Sequence, residues 1–225
     1  MLFFNRYHFV NLFFLSLSLL FSSFAMPCSS IANISTFKLE NKINERFPYP
    51  VNVGFDVDDT LLFSTPSFIL GKAIFSVNND NWKKEPKFWN AVNNLLANSS
   101  RKKISMQSVI DYHLRRNDKL FFITNRPETE YEILSELISS YFKIPFYERS
   151  FVLFKTHLNG KKIDKKSYIE NFNINVFYGD SDEDVGGILF QHILAVRVMR
   201  SPSSQNTTNY HPGRFCEPIL LKSDI

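Results

Sequence analysis

Short apolar runs alternate with helical segments over most of this chain. The runs are rich in β-branched and aromatic residues, as buried strands are, and they cover residues 51–55, 119–124, 150–154, 174–179 and 193–198. Helices are predicted between or beside them, at 88–96, 105–116, 128–141, 165–172 and 184–191. This alternation predicts an α/β fold, a Rossmann-like parallel sheet with helices on both faces.

Two segments fall outside the alternation. Residues 62–117 interrupt it soon after the first strand, so we expect a small helical cap inserted over the end of that strand. Ser105 is the expected N-cap of the second helix in this insertion. Residues 26–50 are expected to form an N-terminal arm with one short helix, and residues 51–225 the main domain.

Residues 1–25 have the pattern of a secretory signal peptide. Arg6 precedes an apolar run from Phe9 to Phe24, and a small-x-small cleavage pattern ends at Ala25. The run is shorter than the roughly 20 residues of a membrane-spanning helix, so we expect cleavage after Ala25 and no stable membrane anchor. Lipid attachment at Cys28 is the alternative, which Pro27 disfavours.

Charge and cysteine content narrow the function classes. The formal net charge is +4, and the paired lysines are scattered and form no single stripe, so we expect no nucleic-acid partner. The two cysteines, Cys28 and Cys216, can form a disulfide in an oxidising compartment, and the sequence leaves their pairing open.

An acidic cluster follows the first predicted strand directly. Asp56, Asp58 and Asp59 crowd its carboxyl end, and a divalent cation is the usual compensation for such crowding. In an extended segment Asp56 and Asp58 share a face, whereas Asp59 points away and is free to cap the following turn. The alternative is that Asp58 and Asp59 merely begin a helix as its N-cap.

Two further strand ends carry polar residues. One ends in Thr124-Asn125-Arg126, and the other leads into an acidic run between Asp180 and Asp184, with Lys165 at a helix start between them. Taken singly, these are a helix cap, a helix N-terminus and a solvated lysine. Because the carboxyl ends of parallel strands meet at one edge, their occurrence together favours a functional site.

These residue types suit phosphoryl transfer. A carboxylate such as Asp56 can attack phosphorus, and Asp58 can protonate the leaving alkoxide and then deprotonate water. Thr124 and Asn125 can hold phosphate oxygens, and the ammonium group of Lys165 can neutralise the transferred group. Mg²⁺, which prefers oxygen ligands, suits the carboxylates of the first and last strand ends.

The motifs resemble those of the haloacid dehalogenase superfamily and, more closely, the bacterial class B acid phosphatases. The resemblance runs from about Val51 to the C-terminus. It rests on FDVDDT at 55–60, LFSTP at 62–66 with Phe68, KFW at 87–89, ITNR at 123–126 and FYGDSDED at 177–184. The resemblance implies a haloacid dehalogenase-like fold and a secreted, periplasmic acid phosphatase.

The resemblance also implies the central roles. Asp56 would be the nucleophile and Asp58 the proton donor. Mg²⁺ would be held by the carboxylate of Asp56, the main-chain carbonyl of Asp58 and Asp180, while Asp184 would order the waters bound to the metal.

The remaining family roles concern the substrate. Thr124, Asn125 and Lys165 would contact the phosphate. Phe68 and Trp89 match aromatic positions around the leaving group, with core packing as the alternative for each, and the expected substrates are small nucleotide and aryl phosphate monoesters. The resemblance further implies phosphotransfer to alcohols and a homotetramer.

The chain departs from the family pattern at two places. Asn125 stands where the family usually has Gly, a residue that allows a left-handed backbone, and Asn is the next-best residue for it. The stretch 201–210 also differs, which leaves the match of Tyr210 to a leaving-group aromatic open. Two alternative functions are a dehalogenase-like hydrolase attacking carbon and a non-enzymatic phosphate- or nucleotide-binding protein.

Overall fold

The structure is a computed structural model that describes residues 33–75, 82–145, 151–187 and 192–220. Eight strands form the main sheet in the order β1-β10-β9-β8-β2-β5-β6-β7, and β3 and β4 form a separate antiparallel pair. The strands are β1 (Asn33–Ile34), β2 (Asn52–Asp56), β3 (Leu62–Phe63), β4 (Arg101–Lys102), β5 (Lys119–Pro127), β6 (Val152–Leu158), β7 (Lys161–Ile163), β8 (Val176–Gly179), β9 (Leu194–Val198) and β10 (Ile219–Leu220). Neighbours in the main sheet run parallel except for the β6–β7 hairpin.

Seven α-helices accompany the strands in the part of the chain that the structure describes. They are α1 (Thr36–Arg46), α2 (Thr65–Phe75), α3 (Pro86–Asn93), α4 (Ser105–Arg115), α5 (Leu134–Tyr141), α6 (Lys165–Asn171) and α7 (Asp182–Gly186). Short 3₁₀ turns cover Trp82–Lys84 and Ala97–Ser99.

Alternating side chains of the strands build one apolar cluster on each face of the sheet. In β5, Leu120 and Phe122 join the larger cluster, which contains buried residues of α1, α4 and α5. Phe121 and Ile123 of the same strand face the other way, into the smaller cluster with residues of α6 and α7. Alternate residues of the strand therefore pack against helices on opposite faces of the sheet. The predicted parallel α/β sheet with helices on both faces is confirmed.

A buried polar network crosses the larger cluster beneath β2. His113 Nδ1 lies 2.7 Å from Asp118 Oδ2, and its Nε2 lies 2.8 Å from the hydroxyl of Tyr178. The other Asp118 oxygen accepts the backbone N–H of Val51 at 2.8 Å. This network ties α4 to the beginning of β2 and to β8, and so helps to fix the strand that carries the first acidic motif.

Several predicted boundaries shift in the structure. The helix predicted from residue 128 begins at Leu134, and the helix predicted at 184–191 already begins at Asp182. Ser105 as an N-cap is wrong, because Ile104 occupies the cap position and Ser105 is the first helical residue. The sequence pattern did not predict β1, β10, the β3–β4 pair or α2, because these elements are short or lack a clear periodicity.

The segment expected to form a cap, 62–117, contains β3, α2, α3, β4 and α4. Helices α2 and α3 pack against each other, whereas α4 contributes Met106, Val109 and Ile110 to the larger core cluster. The division into cap and main domain stays a prediction. Residues 1–25 and Cys28 lie outside the described residues, so the leader and the pairing of Cys28 with Cys216 stay predictions too.

Candidate active site

Asp56 ends β2, the strand that lies between β5 and β8, and its side chain is buried. Lys165 Nζ donates to Asp56 Oδ1 at 2.7 Å, and the hydroxyl of Thr60 donates to Oδ2 at 3.0 Å. Both carboxylate oxygens thus have a donor that holds them in place. The hydrogen bond from Thr60 to Asp56 was not foreseen from the sequence.

Two further aspartates approach Asp56 from the end of β8. Carboxylate oxygens of Asp56, Asp180 and Asp184 all lie within 4.8 Å of one another, and all three residues are buried. Gly179 permits this approach, since a Cβ at this position would lie 2.2 Å from that of Asp184. Asp184 is held by a capping box with Ser181, whose hydroxyl donates to Asp184 Oδ2 at 2.7 Å.

Crowding perturbs the ionisation of the Asp56 carboxyl. Burial raises its pKa well above the usual value, Lys165 opposes the rise, and Asp184, Asp180 and Asp58 add to it. The three carboxylates of the cluster are bound by two cations among the described residues, Lys165 and Arg200, so the cluster is not fully neutralised when all three are ionised.

Asp180 and Lys165 are perturbed by the same cluster. Burial and Asp184 raise the pKa of Asp180 to about 7, although Arg200 Nε donates to its carboxylate at 2.6 Å. Burial alone would lower the pKa of Lys165, but Asp184 and Asp56 raise it above its ordinary value, so the side chain stays cationic. An under-neutralised set of oxygen donors fits a hard divalent cation such as Mg²⁺.

Asp58 is engaged by an arginine that sequence reasoning did not assign to the site. Arg126, at the end of β5, donates from Nη2 to Asp58 Oδ1 at 2.7 Å and from Nε to Oδ2 at 3.1 Å. Burial raises the pKa of Asp58, but Arg126, Ser64 and Lys165 together outweigh burial and lower the pKa below the usual value. The position of Arg126 directly after a predicted strand end was the available signal.

Thr124 and Asn125 occupy different surroundings at the same strand end. The Thr124 hydroxyl lies 3.3 Å from Asp58 Oδ2 and accepts the Arg126 N–H at 3.1 Å. Asn125 is exposed to the cavity described below. Asn125 lies within β5 and is not among the positive-φ residues of the described chain, so its backbone is extended and does not need the left-handed freedom of a glycine.

A cavity of about 450 Å³ opens above these residues, and one wall is aromatic. Phe68, Trp82 and Trp89 line it, with ring centroids about 6 Å apart (6.1 Å for Phe68–Trp82 and 6.2 Å for Trp82–Trp89). Phe68 and Trp89 were expected here and Trp82 was not, because it stands in a stretch with no firm periodicity. The Trp89 indole N–H donates to the carbonyl of Lys83 at 2.6 Å, which orients the ring.

The segment 201–210 forms another wall of the cavity, to which Gln205, Asn206, Thr207 and Thr208 contribute. Tyr210 is not among the lining residues. Its ring packs 4.6 Å from the guanidinium carbon of Arg200, and its hydroxyl accepts the Arg200 N–H at 3.1 Å. Tyr210 therefore contacts the arginine that holds Asp180.

The same segment binds Asp59. The Ser204 hydroxyl donates to Asp59 Oδ2 at 2.7 Å, and Asp59 adopts a φ of 59°. The side chain of Asp59 therefore anchors a distant loop and, among the described residues, does not cap the next turn; its charge also helps to raise the pKa of Asp180.

The family match agrees with this site. Residues 31–208 match the sequence model of the HAD superfamily, subfamily IIIB (Acid phosphatase). The chain is 35% identical over 191 residues to the class B acid phosphatase of Rahnella sp. (strain Y9602), covering 85% of this chain and 79% of the relative. It is 33% identical over 175 residues to the class B acid phosphatase of Morganella morganii, covering 78% and 74%.

The chain belongs to the HAD superfamily and, within it, to the acid phosphatases of subfamily IIIB. It is accordingly a phosphatase, a hydrolase in reaction class. The predicted haloacid dehalogenase-like fold is likewise confirmed.

A solved structure shares the fold at lower identity. The crystal structure of a predicted phosphoglycolate phosphatase from Haemophilus somnus 129PT superposes with a TM-score of 0.52 at 18% identity, covering 76% of this chain and 93% of that chain. Within the described ranges, none of the helices is both long and apolar enough to cross a membrane.

Proposed function

We propose that this chain is a secreted, Mg²⁺-dependent phosphomonoesterase that works through a phosphorylated Asp56. The observation that carries the proposal is the buried carboxylate of Asp56, held by Lys165 at 2.7 Å and by Thr60 at 3.0 Å beside two further buried aspartates. A fixed, partly neutralised carboxylate at the base of an open cavity is suited to attack an incoming phosphorus atom.

In the proposed first step, an oxygen of Asp56 attacks phosphorus and the P–O bond to the leaving group breaks. Asp58, which lines the same cavity, passes a proton to the departing alkoxide; because Arg126 lowers its pKa in the free protein, it takes up that proton from the bound monoanionic phosphate ester. In the second step Asp58 takes a proton from water, which attacks the phosphoaspartate and releases inorganic phosphate. Lys165 neutralises charge on the transferred group, and Thr124 and Asn125 are proposed to contact its oxygens.

Mg²⁺ is proposed to be held by the carboxylate of Asp56, the main-chain carbonyl of Asp58 and Asp180, where it would supply positive charge to the transferred phosphoryl group. Asp184 is proposed to order the metal's water ligands. The support from this chain is the trio of buried carboxylates, which are bound by two cations among the described residues, Lys165 and Arg200, and so lack one positive charge.

The proposed substrates are nucleotide and aryl phosphate monoesters. A flat leaving group fits the wall formed by Phe68, Trp82 and Trp89. Phosphotransfer to small alcohols follows if an alcohol replaces water in the second step. Export to the periplasm, supported by the sequence pattern of residues 1–25, and assembly as a homotetramer complete the proposal.

The decisive experiment compares the purified protein with its Asp56→Asn variant on an aryl phosphate. Loss of the nucleophile should lower kcat by about 10⁴-fold or more. Glu136→Gln, an exposed acid of α5, is the matched control and should retain full activity. Near-normal hydrolysis by Asp56→Asn would refute the mechanism, and hydrolysis that persists after metal removal would refute the proposed dependence on Mg²⁺.

A further inference from the structure

Two basic side chains of β6 face the same cavity as the acidic cluster. Lys155 and His157 are two residues apart and both line the cavity that also contains Asp56 and Asp58. Lys155 pairs in register with Pro127, just beyond Arg126 in β5. The sheet therefore places this pair at the carboxyl edge, on the side of the cavity that follows β5.

Among the described residues, the side chain of Lys155 differs from the other cations of the cavity in having no hydrogen-bond or ion-pair partner. Lys165 is bound by Asp56, Arg126 by Asp58, and Lys83 donates to the Thr207 hydroxyl at 2.7 Å. Over residues 33–75, 82–145, 151–187 and 192–220, the side chain of Lys155 has no hydrogen bond or ion pair. A cation without a partner in a concave site is available to an anionic ligand.

The spacing of the strands determines how far apart the two anionic groups of a ligand can lie. β2 and β6 are separated by β5 alone, and neighbouring strands lie about 4.8 Å apart, so the two strand ends are roughly 10 Å apart. A phosphate on Asp56 can therefore belong to a molecule whose other end reaches Lys155. Glu128 and Glu130 line an adjoining hollow with Lys155 and His157, and they disfavour an anion on that outer side.

We infer that Lys155 and His157 form a second anion subsite for the leaving group. The preferred substrates are then phosphate monoesters whose leaving group carries a further phosphate or carboxylate. This inference rests on the proposed function, since it assumes that the first phosphate binds at Asp56. An imidazole donates a hydrogen bond to an anion in either charge state, so His157 can assist Lys155.

Two matched substrate pairs test the subsite. The carboxylate arm compares 4-carboxyphenyl phosphate with phenyl phosphate, and the phosphate arm compares adenosine 3′,5′-bisphosphate with adenosine 5′-monophosphate. For each pair the ratio of kcat/KM values is measured in the unmodified protein and in Lys155→Gln. Taking the ratio between proteins cancels the intrinsic reactivity of the two leaving groups.

Lys155→Gln should lower at least one ratio about fivefold, mainly through KM, as expected for loss of a charge-assisted contact in a partly open site. Lys161→Gln, which removes the same charge from the neighbouring strand β7 outside the cavity, should leave both ratios unchanged. Unchanged ratios in Lys155→Gln, or an equal loss on both members of each pair, would overturn the subsite.

A binding measurement separates this inference from the proposed function. By calorimetry, Asp56→Asn should bind adenosine 3′,5′-bisphosphate about fivefold more tightly than the same variant carrying Lys155→Gln. If the unmodified protein hydrolyses neither member of a pair, the proposed function is refuted. Good hydrolysis together with equal binding by the two variants would defeat the subsite alone.

Discussion

Arg126 donates hydrogen bonds to both carboxylate oxygens of Asp58, from Nη2 to Oδ1 at 2.7 Å and from Nε to Oδ2 at 3.1 Å. The same guanidinium donates to the carbonyl of Val92 at 3.0 Å and to the Ser64 hydroxyl at 3.2 Å. The buried side chain of Arg126 thus connects the end of β5 with Asp58, two residues beyond β2, and with the helix α3 that carries Trp89. Arg126 therefore links Asp58, the proposed proton donor, to the helix that carries one ring of the aromatic wall.

Removing this arginine should harm stability and catalysis together. Arg126→Met leaves Asp58 buried without its cation, which should lower the free energy of unfolding by about 3–5 kcal/mol and kcat/KM by about 100-fold. Denaturant titration and steady-state kinetics measure the two effects. Arg214→Met, at an exposed arginine, is the control and should change neither by much.

A double-mutant cycle makes this prediction sharper. Asp58→Asn removes the carboxylate charge, so adding it to Arg126→Met should cost less stability than the sum of the single changes. Additive losses would contradict the interpretation that Arg126 acts mainly by neutralising Asp58.

The buried network around Asp118 should make stability depend on pH. Burial would raise the pKa of Asp118, but hydrogen bonds from His113, Val51 and Arg116 lower it below 3.8. A lowered pKa in the folded state contributes stability that is full above the ordinary pKa and is lost as pH falls through the lowered value.

Asp118→Asn should therefore cost about 2–3 kcal/mol at neutral pH, and the difference from the unmodified protein should shrink below about pH 4. Denaturant titrations from pH 3 to pH 7 measure it. In the Glu136→Gln control the difference should stay near zero throughout. A constant deficit of Asp118→Asn across this range would mean that its hydrogen bonds matter and its charge does not.

Metal removal should abolish activity and lower thermal stability. EDTA treatment should stop hydrolysis, and Mg²⁺ should restore it and raise Tm, because a ligand that binds the folded state stabilises it. Asp180→Asn should lose the Tm response. Asp182→Asn is the matched control, since its carboxylate contacts Arg197 and His211 and should not affect the metal response. An unaltered Mg²⁺ response in Asp180→Asn would remove Asp180 from the metal site.

The aromatic wall should select among leaving groups. Trp82→Ala should raise KM for aryl and nucleoside phosphates about tenfold while changing that for glycerol phosphate much less, since only a flat group stacks on the ring. Kinetics on the three substrate types decide this, with the exposed Tyr49→Ala as the control. An equal loss on glycerol phosphate would indicate that Trp82 supports the packing of α2 and α3 instead.

Asn125→Gly should have little effect, because the proposed contact of Asn125 with phosphate is made by its backbone N–H and is kept in the variant. Because Asn125 lies in an extended strand, Asn125→Gly relieves no strain and should cost about 0.5–1 kcal/mol through greater backbone freedom in the unfolded chain. Thermal unfolding and kcat/KM on an aryl phosphate test it. A rise in kcat/KM above threefold would mean that the Asn125 side chain obstructs the phosphate.

Local sequence patterns were enough to predict much of the architecture. The strands around Phe55, Phe122 and Tyr178 could be predicted because buried parallel strands have continuous apolar runs, and their order in the chain implies a shared carboxyl edge. The acidic motifs at Asp56 and Asp180 follow directly from those strand ends. Short or irregular elements such as β3, β10 and α2 escaped prediction, since tertiary contacts stabilise them more than local preference does.

The sequence by itself thus determined the longer strands of the sheet, the acidic strand ends and the residue types suited to phosphoryl transfer, because these depend on short-range periodicity and chemistry. Only the tertiary structure decided that Arg126 pairs with Asp58, that Tyr210 packs on Arg200 and that Lys155 lines the cavity with no partner among the described residues. The physical reason is that such contacts join residues from separate elements, and their energies depend on burial and distances that exist only once the chain has folded.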